Sequence, residues 1–173
     1  INEVMMGDAD ANPGPLPKNV PGFPADVKAY EYDLEKAREY KERAMAEGAP
    51  MDRAFEMHTY ANAALSLQVA QVFQADLAQI GIDLKIVNSS WTKILTDVVN
   101  PDTAPDLWAH WVSAYFVDPE NWVGHMYDSR LHRTWKAASY YKNDRVDELL
   151  QKARELATME QRVPLYEDAI RQI

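Results

Sequence analysis

The chain has 173 residues, of which 47% are hydrophobic and 26% are charged, values typical of one globular domain with its own core. Its 27 acidic residues outnumber its 18 basic residues, and the formal charge of −9 argues against binding to nucleic acid or to a bare anionic membrane surface. The absence of cysteine excludes disulfides and thiolate sites, and no apolar run approaches the length of a membrane span.

An irregular leader is predicted for residues 1–30, which contain five of the ten prolines. Proline lacks the backbone N–H that a helix interior or a sheet ladder needs, so regular structure is disfavoured there. Apolar residues such as Leu16, Val20 and Phe23 lie among the prolines. We therefore expect the leader to pack on a single lobe formed by residues 31–173.

Both ends of the sequence predict a fragment of a longer protein. The chain starts with Ile1 rather than Met and shows no signal-peptide pattern. It closes at Ile173 within a helical pattern, without a glycine or proline stop. The missing targeting signal therefore carries no information about location.

Helices and strands are predicted to alternate from residue 33 to residue 113, on the basis of hydrophobic periodicity and capping residues. In chain order they are a helix from Leu34 to Glu47 capped by Asp33, a strand over 54–60, a helix from Ala63 to Ile80 capped by Asn62, a strand over 82–88, a helix from Ser89 or Ser90 to about Val99, and a strand over 105–113. This β-α-β-α-β order favours parallel strands with right-handed crossovers, and ligands of such sheets bind beyond the carboxyl ends of the strands.

Helices are also predicted to dominate the last third of the chain. A short helix follows Asp118 as N-cap, with Pro119 at its first position. Residues 127–143 have weak periodicity and are predicted to form a loop. Asn143 or Asp144 then caps a helix, and the last helix opens near Thr158, where Pro164 marks either a kink or a later start.

Catalytic and metal chemistry find little support in the sequence. The four histidines, which are His58, His110, His125 and His132, do not have the spacing of a metal site. Asp118 and Glu120 could form an acid–base pair, but Asp118 has a simpler explanation as a helix cap. The chain has no G-x-S-x-G turn, glycine-rich phosphate loop or H-E-x-x-H motif. We therefore expect no enzymatic activity, no metal and no cofactor.

The stretch HWVSAYFVDPENW, residues 110–122, concentrates aromatic side chains at the carboxyl end of the third predicted strand. Trp108 and Trp111 are three positions apart, so on a strand they point to opposite faces. One interpretation is that these rings pack under helices. The other is that Trp111, Tyr115 and Trp122 form a surface for stacking a ligand, with His110 and Ser113 as polar groups.

Six features resemble, in the same order, the large periplasmic solute-binding proteins of peptide-, nickel- and opine-type ABC importers, which form extracellular solute-binding family 5. They are YDLEKAREY (32–40), QVFQADLAQIGIDLKI (71–86), the aromatic Trp91, HWVSAYFVDPENW (110–122), YYKNDRVDELLQKAR (140–154) and QRVPLYEDAIRQI (161–173). The resemblance covers about 140 residues and depends on the order of the features, since none of them is specific by itself.

The resemblance implies an α/β fold, a periplasmic-binding-protein-like lobe with a β-α-β-α-β core and additional C-terminal helices. It implies the C-terminal lobe of a periplasmic two-lobed protein whose N-terminal lobe and signal peptide belong to the longer parent. The implied function is the capture of a peptide-like, opine-like or sugar-like solute for the transmembrane subunits of an ABC permease. A non-transport ligand-sensing or regulatory domain of the same fold is the alternative.

The chain departs from the family at the residue that binds the ligand's amine. Peptide-binding members place an aspartate three residues after the motif tryptophan, where this chain has Ala114 counted from Trp111, or Tyr115 counted back from Asp118. A buried ammonium without a counter-charge costs several kcal/mol, so the usual clasp of a free amine is disfavoured. An arginine of some members falls near Tyr60. Eight residues are expected to line the cleft: Trp111, Ser113, Ala114, Tyr115, Trp122, His110, Tyr60 and Trp91.

Overall fold

A three-stranded parallel sheet organises the first part of the chain in the computed structural model, which describes residues 6–9 and 11–173. The elements are α1 (Leu34–Ala46), β1 (Phe55–Tyr60), α2 (Ala64–Gln79), β2 (Leu84–Ser89), α3 (Trp91–Val98) and β3 (Leu107–Trp108). The strands lie in the order β2-β1-β3, and β1 is parallel to both neighbours. The predicted β-α-β-α-β unit and the α/β class are confirmed.

Short helical turns and two longer helices follow the sheet. They are a 3-10 turn (Pro119–Asn121), α4 (Val123–Tyr127), a second 3-10 turn (Ser129–Leu131), α5 (Asp144–Arg154) and α6 (Met159–Gln172). Since α6 begins at Met159, Pro164 does not mark a later start. Among the residues that the structure describes, no helix combines the length and the apolar character that a membrane-spanning segment requires.

The caps explain why the helices begin where they do. The side chains of Asp33, Ser90 and Asn143 each accept a hydrogen bond from the first turn of the helix that follows, as predicted. Thr158 opens α6 with a reciprocal capping box. The prediction that Asn62 caps α2 was wrong: Asn62 has a left-handed φ of 72° and turns the chain out of β1, whereas the N-cap position has no side-chain bond.

The third strand is much shorter than the predicted span of 105–113, and its two ends show why. Before the strand, the carboxylate of Asp106 accepts a hydrogen bond from the backbone N–H of Glu56 at 2.9 Å and replaces a ladder bond. After the strand, the N–H of Ala109 donates to the carbonyl oxygen of His58 at 3.1 Å. Beyond that bond, the chain leaves the sheet.

The apolar residues form two clusters, one around the sheet and one around the helices. The sheet core is formed by β1, β2 and α2 around Met57, Ala70 and Leu84. The helical core is formed by α5, α6 and the segment around α4, and the leader contributes Leu16 and Val20 to it. The leader is therefore not only a surface segment, because Leu16 is completely buried.

An ion network around the buried Asp128 joins the 3-10 turns to α5. The Asp128 carboxylate, only 2% exposed, accepts hydrogen bonds from the guanidinium groups of Arg130 and Arg154. Arg154 also donates to Glu120 at 2.7 Å, and the Tyr166 hydroxyl donates to the other oxygen of Glu120 at 2.9 Å. Burial by itself raises the pKa of Asp128, but the arginine hydrogen bonds outweigh it and the pKa lies below its ordinary value.

Replacing Arg154 with methionine should lower the free energy of unfolding by about 2 kcal/mol, because the buried Asp128 and the partly buried Glu120 then lose a shared hydrogen-bonding partner. Urea unfolding of the 173-residue chain measures this loss. Arg145→Met is the matched control, since Arg145 is exposed on the same helix and lies 3.6 Å from Glu148; its effect should stay within about 0.5 kcal/mol.

The same experiment has a defined pH dependence. The folded-state pKa of Asp128 is lowered, so its contribution to stability is present above the unfolded value of about 4 and is lost as the pH falls through the folded pKa. The difference in the free energy of unfolding between wild type and Arg154→Met should become smaller at acidic pH. A difference that is the same at pH 3 and pH 7 would contradict this assignment.

Candidate ligand-binding site

The carboxyl ends of the three strands meet at one edge of the sheet. Tyr60, the last residue of β1, is the register partner of Ser89, the last residue of β2. His58 is the partner of Trp108 in β3, so His110 lies near the level of Tyr60. Because α3 begins directly after β2, its first residue, Trp91, also lies at this edge.

Five aromatic side chains at this edge form a ring cluster, which consists of Tyr60, Trp91, Trp108, His110 and Trp135. The ring of His110 is nearly parallel to those of Trp108 and Trp91, with centroid distances of 4.7 and 5.2 Å. Trp135 meets His110 edge-on at 5.6 Å. Stacked and edge-to-face pairs at these distances are favourable for aromatic groups.

His110 is the imidazole of the ring cluster, and its burial favours the neutral form. Burial against the indole rings of Trp91 and Trp108 lowers the pKa of His110 below its ordinary value. An imidazole in this state offers one N–H donor and one ring nitrogen acceptor without a formal charge. The ring cluster is therefore a largely apolar surface whose polar groups are the His110 imidazole, the Tyr60 hydroxyl and the indole N–H groups.

A cavity of about 830 Å³ opens beside the ring cluster, between α2 and the segment that contains β3. Met57, Val69 and Phe73 line one side, and residues 104–111 line the other. The volume is in the range of small-molecule sites, which combine apolar walls with a few polar groups. The carboxylate that borders the cavity belongs to Asp106, and it is already engaged by the guanidinium of Arg53.

Residues 111–117 form a rim loop that leaves the sheet at its carboxyl edge. Trp111 and Tyr115 are 50% and 71% exposed, and Ser113 and Ala114 are exposed as well. The loop contains no acidic residue. Large apolar side chains that are held exposed next to a cavity are typical of an interaction surface.

The rim loop is tied to the turn that follows it. The side chain of Asn121 is 1% exposed; its amide nitrogen donates to the carbonyl of Ser113 at 2.9 Å, and its oxygen accepts from the N–H of Tyr115 at 3.3 Å. The indole N–H of Trp122 donates to the carbonyl of Val112 at 3.2 Å. These bonds hold the backbone of the loop at residues 112, 113 and 115.

The structure brings together seven of the eight residues that were expected to line a cleft. Tyr60, Trp91 and His110 belong to the ring cluster, whereas Trp111, Ser113, Ala114 and Tyr115 belong to the rim loop.

Trp122 requires a correction, because it lies in the helical core with 8% of its surface exposed and does not reach the cleft. Its role in the lobe is to fill the core and to hold the rim loop through its N–H. Asp118, in contrast, has the predicted position: it caps the 3-10 turn by accepting from the N–H of Glu120 at 2.9 Å and pairs with Arg162.

Three residues that contribute to this region were not among the eight expected from the sequence. Trp108 belongs to the ring cluster, and its place on the strand next to a tryptophan-rich stretch was the available signal. Trp135 comes from the segment predicted as loop, where no periodicity indicates which side chains turn inward. Asn121 gave no signal, since a polar residue after Asp-Pro-Glu is equally compatible with an exposed turn.

Comparisons with known proteins point to one family. Residues 1–131 match the family model described as bacterial extracellular solute-binding proteins, family 5 middle. The di/tripeptide-binding protein 4 of Pseudomonas aeruginosa (strain UCBPP-PA14) is 28% identical over 96% of this chain and 31% of its own length. The dipeptide-binding protein of Escherichia coli (strain K12) is 24% identical over 98% of this chain and 31% of its own length.

Solved structures agree with the family match. The periplasmic binding protein DppA of Helicobacter pylori, in complex with the peptide STSA, has a TM-score of 0.82 and 28% identity over 99% of this chain and 33% of its own. The oligopeptide-binding protein AppA of Bacillus subtilis, in complex with a nonapeptide, has a TM-score of 0.80; at 22% identity it shows the fold alone. The match with AppA includes 99% of this chain and 36% of AppA. The chain therefore spans about a third of the length of these two proteins.

His110 should titrate below the ordinary histidine value of about 6.5 in the folded chain, because burial disfavours its charged form. The lowered pKa means that stability is highest with neutral His110 and declines as the pH falls through the folded value. NMR titration of the imidazole carbon-bound protons gives the pKa, and tryptophan fluorescence should change with the same midpoint. His110→Phe, which retains a ring, should abolish that fluorescence transition; a pKa at or above 6.5 would contradict the burial argument.

Proposed function

Because this chain belongs to family 5 of the bacterial extracellular solute-binding proteins, we propose that it forms one lobe of the ligand cleft of an ABC importer's binding protein. Residues 31–173 would form this lobe, and the leader of residues 1–30 would pack on it. The other lobe and a signal peptide for a periplasmic location would belong to the parent protein. The observation that carries the proposal is the meeting of the ring cluster and the rim loop at the carboxyl edge of a parallel sheet.

The proposed mechanism is closure of the two lobes around a solute. A ligand that touches both lobes favours the closed state by its difference in affinity for the two states. On this lobe, the ligand would lie on Trp111 and Tyr115 and approach Tyr60, Trp91 and His110 from the cavity side. The closed protein would then deliver the solute to the transmembrane subunits of the permease. No step of this mechanism involves catalysis.

The polarity of the site limits the proposed solute. The di/tripeptide-binding relatives support a peptide-like solute, and the aromatic surface also suits an opine-like or sugar-like solute. Ala114 and Tyr115 leave the rim loop without a carboxylate, and the neutral His110 supplies none. A ligand with a modified or absent amine therefore fits this lobe better than a peptide with a free ammonium group.

Replacing Ala114 with aspartate in the full-length parent should create the missing partner for an ammonium group. Fluorescence titrations would compare the tripeptide Ala-Phe-Ala with its N-acetyl form. Wild type should bind the acetylated form at least as tightly, and Ala114→Asp should shift the ratio of affinities about tenfold or more towards the free amine. Ser113→Asp is the neighbouring control, since it adds the same charge one position away. A strong preference of wild type for the free amine would contradict the proposed ligand class.

Trp111→Ala should weaken binding of N-acetyl-Ala-Phe-Ala about tenfold, because half of this indole is exposed at the proposed contact surface. Isothermal titration calorimetry on the full-length parent measures the affinity independently of the tryptophan signal. Tyr32→Ala is the control, since Tyr32 is a large exposed aromatic residue next to α1 and hydrogen-bonds to Asp76 instead. Equal affinities in wild type and Trp111→Ala would remove Trp111 from the site.

A further inference from the structure

We infer that Asn121 is a positioning residue, whose buried carboxamide fixes the rim loop in the shape that the ligand meets. The inference rests on the proposed function, because it assigns the rim loop to the ligand surface. Asn121 would not touch the ligand. It would act through Ser113 and Tyr115, whose backbone it holds.

The geometry assigns both ends of the Asn121 amide to the rim loop. The Nδ2 group donates to the Ser113 carbonyl at 2.9 Å, and Oδ1 accepts from the Tyr115 N–H at 3.3 Å. The Tyr115 N–H also points to the carbonyl of Ser113 at 3.1 Å, so the loop is a tight turn closed around the amide. A neutral group that both donates and accepts is required at this place, and asparagine is the shortest side chain that supplies it in a planar amide.

The turn that carries Asn121 is itself immobilised from the side of the helices. Asp118 caps the turn and pairs with Arg162 of α6. Glu120 is bound by Arg154 of α5 and by the Tyr166 hydroxyl of α6. The carboxylate of Glu120 also fills the space next to Gly124, where an added Cβ atom would lie 2.2 Å from it. Because the turn is held in place by the helices, the carboxamide of Asn121 can fix the position of the rim loop.

The contacts of the loop explain why this amide bears on ligand binding. Trp111 and Tyr115 project into solvent and gain little support from packing. Within the described part of the chain, the side-chain hydrogen bonds to the backbone of residues 112–115 come from Asn121 and Trp122. Loss of the Asn121 amide should leave the fold in place but free the loop to sample other conformations, at a cost in affinity.

Asn121→Asp provides a change that can be reversed by pH. The aspartate has nearly the same shape, and at neutral pH its carboxylate cannot donate to the Ser113 carbonyl and repels it. A protonated carboxylic acid restores one donor and one acceptor. Because the site is buried, the pKa of the new carboxyl group should be raised, so the acid form is accessible at mildly acidic pH.

The first test measures backbone hydrogen exchange of the 173-residue chain by NMR. At pH 7.5, the carboxylate of Asn121→Asp still accepts from the Tyr115 N–H but repels the Ser113 carbonyl, so the turn should loosen and the protection factor of the Tyr115 amide should fall several-fold relative to wild type; the ratio should recover at pH 5. The amide of Leu150 in α5 reports whether the fold is intact. Asn121→Leu, which cannot form either bond at any pH, should lower Tyr115 protection equally at both pH values.

The second test measures binding of N-acetyl-Ala-Phe-Ala to the full-length parent. The dissociation constant of Asn121→Asp should rise about tenfold at pH 7.5, and its ratio to the wild-type value should approach one at pH 5. Asn143→Asp is the matched control, because it makes the same chemical change at the N-cap of α5, where an aspartate retains the acceptor for Arg145 and Val146. For Asn143→Asp, both the Tyr115 protection factor and the dissociation constant should stay within about twofold of the wild-type values.

The outcomes separate this inference from the proposed function. Unchanged Tyr115 protection in Asn121→Asp and Asn121→Leu would overturn the positioning role. A loosened loop with unchanged affinity would also overturn it, since the loop would then not be the surface that the ligand meets. If the wild-type parent binds neither acetylated nor free tripeptide, the peptide-like ligand class fails. The exchange data still decide whether Asn121 fixes the loop in that case.

Discussion

The ion pair between Glu120 and Arg154 is the interaction on which the geometry of the candidate site depends. It joins a turn in the middle of the chain to a helix near its end, and Arg154 extends the contact to the buried Asp128. The Tyr166 hydroxyl completes the carboxylate's hydrogen bonds, and burial together with this carboxylate raises the pKa of Tyr166 well above its ordinary value. The pair is partly buried, and together with the further hydrogen bonds to the buried Asp128 it favours one arrangement of the turn on the helices.

This constraint explains the unusual brevity of β3. A strand that continued to residue 113 would carry the backbone of Ser113 along the sheet, away from the turn. Instead, the chain leaves the sheet after Ala109, because Val112 and Ser113 are bound by Trp122 and Asn121. The sheet thus sets the positions of the rings at its carboxyl edge, and the helical core sets the position of the rim loop. The cavity lies between α2 and residues 104–111, where the sheet passes into the rim loop.

Local signals explain which features could be predicted from the sequence. Asp33 and Thr158 are capping residues whose effect extends only a few positions, and the helices begin where these residues indicate. The position of Trp122 depends on long-range packing. In the sequence it is one more aromatic residue of the motif, whereas in the structure it packs in the helical core with residues of α5 and α6. Trp135 reaches the ring cluster from a segment without periodicity, so only the tertiary structure could assign it. The family resemblance succeeded because it used the order of many weak signals.

The excess of acidic residues does not make this candidate site acidic, and the reason is visible in the pairing of its carboxylates. Asp106 beside the cavity is bound to Arg53, Asp118 after the rim loop to Arg162, and Glu120 to Arg154. Each carboxylate is engaged in holding a strand end or a turn, and its release to bind an ammonium group would break the structure that shapes the site. Ala114 and Tyr115 add no carboxylate to the rim loop. The candidate site therefore presents aromatic rings and the neutral hydrogen-bonding groups of the loop.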